Sequence, residues 1–335
     1  MRPVAVGVLG VGVWGEKHAR VYEAIPEATL VGVYDTDTAR AREVAARHGC
    51  RAFASAEQLV GACEAVSVAV PTSGHREAVE RVAAAGRHVL VEKTMAPTIA
   101  DADAMLESAR RGGVQLQVGH VERFNPALLA ARPHVSAPKF IEAHRLALFQ
   151  PRSLDIDVVF DLMIHDIDLV LDAVGESPAA VSAVGVAVLS ENEDIANARL
   201  EFADGCVANL TASRVSQERL RRMRFFQADA YLSIDLFEKS VDVLRVDVAR
   251  LRALGPAIAI DPRAAAQAIA RVPLAAESGE PLTLELTAFL RSLRGEGAGA
   301  AAGPAGRAAL AVAAEVRAAM KQRAARWAAP SNVGS

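Results

Sequence analysis

Apolar and polar positions follow one rhythm in the first third of the chain and another after it. Short, largely apolar runs at Val4–Leu9, Thr29–Tyr34, Ala65–Val70, His88–Glu92 and Val114–Gly119 stand between segments of helical period. Those segments cover 12–24, Thr38–His48, His75–Ala85 and Asp101–Arg111. Strands that are greasy on both faces and alternate with helices predict a parallel sheet covered on both sides. After about residue 122 the period becomes two, first at Lys139–Leu148, then over 181–189, 197–215 and 223–246. Asp204-Gly205 lies between two of these runs and predicts a hairpin, so this half reads as an antiparallel meander. From Thr283 onward two Ala/Leu-rich helices flank a flexible spacer at 295–306. The expected organisation is therefore a first domain over 1–122 and a second over 123–335. Alternating strands leave one face of the second sheet in need of cover, which predicts a homodimer or homotetramer.

Composition narrows the class. A chain of 335 residues, 52% hydrophobic and 23% charged, is long and apolar enough for two cores. A net charge of -3 provides no global field to recruit nucleic acid or an anionic membrane. Cys50, Cys63 and Cys206 form no CxxC, which fits a reducing compartment and neither a disulfide scaffold nor a zinc ribbon. The apolar N-terminus is broken by glycines and no run reaches membrane-span length. The expectation is a cytoplasmic protein acting on a small molecule, without membrane insertion.

Chemistry is suggested at two places. The loop 10-GVGVWG-15 is a G-x-G-x-x-G between a strand and a helix. Gly10 permits the tight turn, Gly12 a close approach to a pyrophosphate, and Gly15 close helix–strand packing; Val13 and Trp14 complete the loop. Asp35 ends the second strand where a ribose-binding carboxylate belongs, and it would repel a 2′-phosphate. Arg40 and Arg42 read as a solvated helix face, so the cofactor expected is NAD. The second place is 159-VFDLMIHDIDLVLDAVG-175, with Asp161, His165, Asp166, Asp168 and Asp172 in a greasy setting. As a helix, Asp161, His165, Asp168 and Asp172 share one face. No second His or Cys stands at ligand spacing, so no metal is expected. A capped helix with a wetted polar stripe accounts for Asp166 and Asp172. Acid–base chemistry is the remaining reading, because histidine is the side chain that titrates near neutrality.

Taken with 70-VPTSGH-75, 86-GRHVLVEKTMA-96 and 161-DLMIHDIDL-169, the loop resembles the Gfo/Idh/MocA oxidoreductases. The resemblance runs over nearly the whole chain, down to 281-PLTLELTAFLRSLRGEG-297. It implies an N-terminal Rossmann domain, doubly wound, and a C-terminal α/β domain with an open, mostly antiparallel sheet. Within the family, 118-VGHVERFNPA-127, 158-VVFDLMIHDIDLVL-171 and 194-DIANARLEFADGCVANLTASRVS-216 are most similar to the UDP-N-acetylglucosamine 3-dehydrogenase group. That group oxidises a nucleotide-sugar hydroxyl with NAD, ahead of an aminotransferase that supplies nitrogen for a lipid A precursor. The resemblance implies His165 as general base with Asp161 as its partner and a substrate contact, with proton acceptance shared between His165 and Lys93 as the alternative that sequence does not separate. It implies Lys93 as donor to the reacting oxygen and a ligand of both cofactor and substrate. Glu92, Pro71, Thr72 and His75 fall in the cofactor region, and Arg123, Asn125 and Arg214 against the sugar nucleotide. The run Arg219, Arg221, Arg222 and Arg224 reads as a solvated face. Two positions depart from the pattern: Thr94 stands for the proline after the lysine, and Met163 for the glycine before the histidine.

Overall fold

The computed structural model describes residues 2–150, 156–254, 266, 268–276, 278–297 and 301–328, in two compact units. One comprises Met1–Phe124 and Gly279–Ala311, the other Asn125–Ser278 and Val312–Ser335. Where a single boundary at 122/123 is expected, the first passage between units falls after Phe124, and a C-terminal stretch then returns to the first unit. The reason is apolar: Leu282, Leu286, Phe289 and Leu290 of the helix Pro281–Ser292 lie in the same core cluster as Val4, Val6 and Tyr22.

In the first unit the strands are β1 (Val4–Leu9), β2 (Ala28–Tyr34), β3 (Arg51–Ala52), β4 (Ala65–Val68), β5 (His88–Glu92) and β6 (Leu116–Gly119). They run parallel in the order β3-β2-β1-β4-β5-β6. Helices α1 (Val13–Ala24), α2 (Thr38–Arg47), α3 (Ala56–Ala62), α4 (His75–Ala84) and α5 (Ile99–Gly112) connect them. Each of α2, α3 and α5 starts on a capping side chain (Asp37, Ser55 and Thr98) that accepts from first-turn N–H groups. The doubly wound sheet expected from the apolar runs is present. β3 and α3 were not legible in the sequence, because a two-residue strand carries too little pattern. The spacer expected at 295–306 is also shorter: Ala301–Ala302 pairs antiparallel with β6, and a helix starts at Gly303. Residues 298–300 of that spacer lie outside the described residues.

The second unit holds β7 (Phe140–Leu146), β8 (Ala180–Val186), β9 (Ile195–Glu201), β10 (Val207–Ser213), β11 (Leu220–Phe226), β12 (Ala230–Asp235), β13 (Ser240–Val246) and β14 (Ile269–Val272). Helix α6 (Pro126–Ala131) precedes β7, and α7 (Ile164–Val174) follows it. The sheet order is β14-β13-β12-β11-β7-β10-β9-β8. All pairings are antiparallel except β7 with β10, which is parallel. The meander is therefore interrupted: α7 carries the chain from central β7 out to edge strand β8. Asp204-Gly205 does form the predicted hairpin between β9 and β10, with Gly205 at φ +85°. On β7, Ile141, Ala143 and Arg145 are buried, while Glu142 and His144 turn to the other face. That other face is polar, tied by Asn197–Thr211 at 2.9 Å and Arg224–Glu142 at 3.1 Å.

Candidate active site

All six major strands of the first sheet point the same way, so their carboxyl ends share one edge. The order reverses between β1 and β4, and a crevice at such a switch point is where open α/β sheets bind ligands. β1 delivers 10-GVGVWG-15, β2 delivers Asp35, β4 leads to Pro71, Thr72 and His75, and β5 ends at Glu92 and Lys93. Gly10 sits at φ +82°, and a Cβ on Gly15 would lie 1.8 Å from the Gly10 carbonyl oxygen. Both glycines are thus demanded by the backbone itself.

The cradle fits a dinucleotide. Gly12, the N-cap of α1, offers no capping side chain, and a Cβ built on it meets open space. The first-turn N–H groups and the positive end of the helix dipole are left for a phosphate. Asp35 accepts from Val11 N–H (2.7 Å) and Asp37 N–H (2.9 Å), which fixes its carboxylate beside the loop. Arg40 donates to the Val11 carbonyl (3.0 Å) and pairs with Glu16 and Glu43. It braces the glycine loop rather than forming a plain solvated face; Arg42 is exposed. Val13 and Trp14 are exposed at the loop tip, with Lys17 over the indole ring. Pro71 is exposed and Thr72 half-buried in a 3-10 turn.

His75 is buried. Its ring faces the carbonyls of Val70, Thr94 and Met95 at 3.0, 3.0 and 3.2 Å. Burial pushes its pKa down against these acceptors. It therefore ties the turn after β4 to the segment that follows Lys93, where Thr94 replaces proline. The Lys93–Thr94 peptide is cis. Lys93 is half-buried at the end of β5.

One residue that sequence reasoning missed is His18. It is fully buried on α1, and its Nε2–H donates to Glu92 at 2.8 Å. That leaves Nδ1 to accept from the Ser67 hydroxyl (3.1 Å), which in turn accepts from Tyr22 O–H (2.7 Å). The network assigns this tautomer. Burial, ahead of nearby Glu285 and Glu92, pushes the Tyr22 phenol far up, so it stays a donor. The available signal was a histidine and a tyrosine four apart in the apolar stripe of α1.

In the second unit the charged segment does not start as an α-helix. Asp157 accepts from the N–H groups of Val159 (3.0 Å) and Phe160 (3.2 Å) and opens a π turn over Val159–Met163. Such turns recur at functional sites. α7 then runs to Gly175, which closes it at φ +84°. The helix is buried nearly all round, so its charges are not one wetted stripe. Asp166, expected in water, is 4% exposed and holds Arg145 through two bonds of 2.9 and 2.8 Å. This corrects the solvated reading of Asp166; a partner 21 residues away on β7 decided it. Asp168 is also buried, while Asp172 is exposed and pairs with Arg132. His165 is half-buried on α7.

Asp161 lines a cavity of about 180 Å³ together with Arg145, Arg214, Arg219, Arg221 and Phe237. Arg214 is anchored from behind, donating to Asp194 (2.8 Å), the Ile156 carbonyl (2.8 Å) and the Ser190 hydroxyl (2.9 Å). Burial alone would raise the Asp194 pKa. The N–H of Leu189, Arg214, the N–H of Val188 and Ser190 together hold it far below the ordinary carboxylate range. Asn125 caps α6 and donates to the Leu236 carbonyl at 2.8 Å, which makes it a structural anchor of the second unit. Arg123 stands half-buried in the short 3-10 turn of the first.

Among the described residues no three His, Cys, Asp or Glu side chains gather as a metal site. The cysteines are free, and burial pushes the Cys63 thiol to about 12, which disfavours thiolate chemistry. No helix among the described residues is long and apolar enough to cross a membrane.

Comparison with known proteins agrees with this geometry. The oxidoreductase family GFO/IDH/MocA, with an NAD-binding Rossmann fold, matches residues 4–120, and its C-terminal domain matches 131–232. The UDP-N-acetylglucosamine 3-dehydrogenase of Acidithiobacillus ferrooxidans is 45% identical over 238 residues, 71% of this chain and 75% of that one. A solved structure of that enzyme superposes with a TM-score of 0.85 at 39% identity, covering 96% of this chain and 99% of the other. Inositol 2-dehydrogenase of Rhizobium meliloti is 27% identical over 227 residues, 63% of this chain and 69% of its own.

Proposed function

We propose that this chain, which belongs to the GFO/IDH/MocA family of NAD-binding oxidoreductases, oxidises the 3-hydroxyl of UDP-N-acetylglucosamine to the 3-keto sugar. The observation that carries the reading is the 45% identity over 238 residues to an enzyme of that name. The loop 10-GVGVWG-15 and Asp35 would hold NAD, which when bound would supply the hydride acceptor for C3. The hydroxyl proton must leave in the same step, and His165 takes it, with Asp161 orienting the imidazole and meeting the sugar. Lys93 donates to the reacting oxygen and lowers the cost of its developing negative charge. Glu92, held by His18, fixes the strand end that presents Lys93. Arg123 and Arg214 contact the substrate, Arg214 from the cavity wall, and Asn125 braces the same region.

The ketone suits a downstream aminotransferase that installs nitrogen at C3, in a route to a lipid A precursor. The reading includes a cytoplasmic location and a homodimer or homotetramer formed through the open sheet face. Alcohol oxidation by NAD is uphill near neutral pH, so the assay traps the ketone with an aminotransferase or a carbonyl reagent. Keto sugar from UDP-N-acetylglucosamine, and none from free N-acetylglucosamine or inositol, is the expected result. Turnover of inositol or a free sugar without the nucleotide sugar would sink the substrate assignment. Full turnover by His165→Ala would sink the base assignment.

A further inference from the structure

Four buried polar side chains of the first unit form one chain: Tyr22 and His18 on α1, Ser67 on β4 and Glu92 at the end of β5. Ser67 has a single hydroxyl proton and stands between two partners, His18 Nδ1 at 3.1 Å and the Tyr22 oxygen at 2.7 Å. With a proton on Nδ1, His18 would donate to Ser67. Either Ser67 or Tyr22 would then keep a buried O–H with no acceptor among the described residues. A buried donor left without an acceptor is costly. With Nδ1 unprotonated, Tyr22 donates to Ser67, Ser67 to Nδ1, and His18 Nε2–H to Glu92, so every proton is used. Burial keeps the Tyr22 phenol protonated, as this direction needs. The carboxylate has room for the bond because residue 119 on neighbouring β6 is glycine. A Cβ there would lie 2.9 Å from Glu92 Oε1.

We propose that Tyr22 and Ser67 are positioning residues for the oxidation, acting through His18 to hold Glu92 as an ionised, oriented carboxylate beside Lys93. The proposal rests on the dehydrogenase reading above and traces the His18–Glu92 contact back to its origin in the core. Neither hydroxyl needs to reach the substrate. Their influence passes along the chain to the strand end that carries Lys93. A neutral imidazole can carry its proton on either nitrogen. Without Ser67 as donor to Nδ1, the Nδ1–H tautomer becomes available and turns a bare Nε2 towards Glu92. A carboxylate that faces a nitrogen lone pair loses its tether.

The test uses the full-length protein with Tyr22→Phe, Ser67→Ala and His18→Gln, and with Tyr22→Phe combined with His18→Gln. Thermal melts check that each variant is folded; Tyr22→Phe and Ser67→Ala break the chain at different points, so either one suffices. Nitrogen NMR of protein labelled at histidine reads the tautomer, with the His18 signals identified by their loss in His18→Gln. Wild type is expected to carry the proton on Nε2, and the two hydroxyl variants to move part of the population to Nδ1. In the ketone-trapping assay, Tyr22→Phe and Ser67→Ala should each lower kcat about three- to tenfold. KM for UDP-N-acetylglucosamine and for NAD should stay within about twofold of wild type. Glutamine has no tautomers, so in the His18→Gln background Tyr22→Phe should change kcat by less than about twofold. Equal losses in both backgrounds would mark a packing effect and overturn the proposal. Unchanged kcat in both hydroxyl variants, or a proton on Nδ1 in wild type, would overturn it as well. If wild type oxidised no sugar, the dehydrogenase reading would fail, and the tautomer alone would decide this one. A proton on Nε2 that moves in Ser67→Ala supports the chain; one that stays overturns it.

Discussion

The two sheets carry their chemistry in opposite ways. In β1, β4 and β5 nearly every residue is buried, whichever face it points to. A charge inside such a strand would have no water and no room, so the residues proposed for function stand where strands end, at Asp35, Thr72 and Lys93. The second sheet has one polar face and one packed face, so charged residues occur within its strands, as Arg145 and Arg221 do. A residue at a strand end can be changed with little cost to the fold. A charge inside a strand is bound into packing, and its removal is felt there first.

The largest effect should come from a strand end. Lys93→Met is expected to lower kcat/KM by roughly a hundredfold to ten-thousandfold, with a melting temperature close to wild type. A large loss of melting temperature instead would erase the contrast between the sheets.

Next comes the buried charge of the second unit. Asp194→Asn removes the carboxylate charge paired with Arg214 and should cost about 3–5 kcal/mol at pH 7, seen in chemical denaturation. Because the folded-state pKa of Asp194 lies below its ordinary value, its contribution is complete above about pH 4 and fades as pH falls through the folded value. The gap between variant and wild type should therefore be constant from pH 5 to 8 and close in acid. A gap that widened in acid would contradict the assignment.

A smaller effect tests the relay behind Lys93. His18→Ala should reduce kcat about ten- to hundredfold, whereas His18→Gln, which keeps a donor near Nε2, should recover much of it. Equal losses in both variants would reduce His18 to a packing residue. The smallest effect belongs to the open face, where Arg222→Gln should change stability by about 0–1 kcal/mol.

What could be read from sequence was local. The glycine loop, Asp35 and the apolar strands depend on neighbours within one strand–turn–helix unit, and each lies where its pattern placed it. The helical stripe at Asp161–Asp172 was less legible, because its first three residues belong to the π turn Val159–Met163 and α7 is buried on nearly every side.

Sequence by itself determined the class of fold, the glycine loop and the order of the chemical groups along the chain. Those features rest on backbone sterics and short hydrophobic periods, which neighbouring residues set without distant help. Tertiary structure alone decided the partners: Asp166 with Arg145, Arg214 with Asp194, His18 with Glu92, and Gly279–Ala311 with the first unit. The physical reason is that a buried charge is stable only against a counter-charge, and sheet register chooses which residue that is. Register also split one arginine run into two faces, so that Arg222 and Arg224 brace the sheet while Arg219 and Arg221 line the cavity.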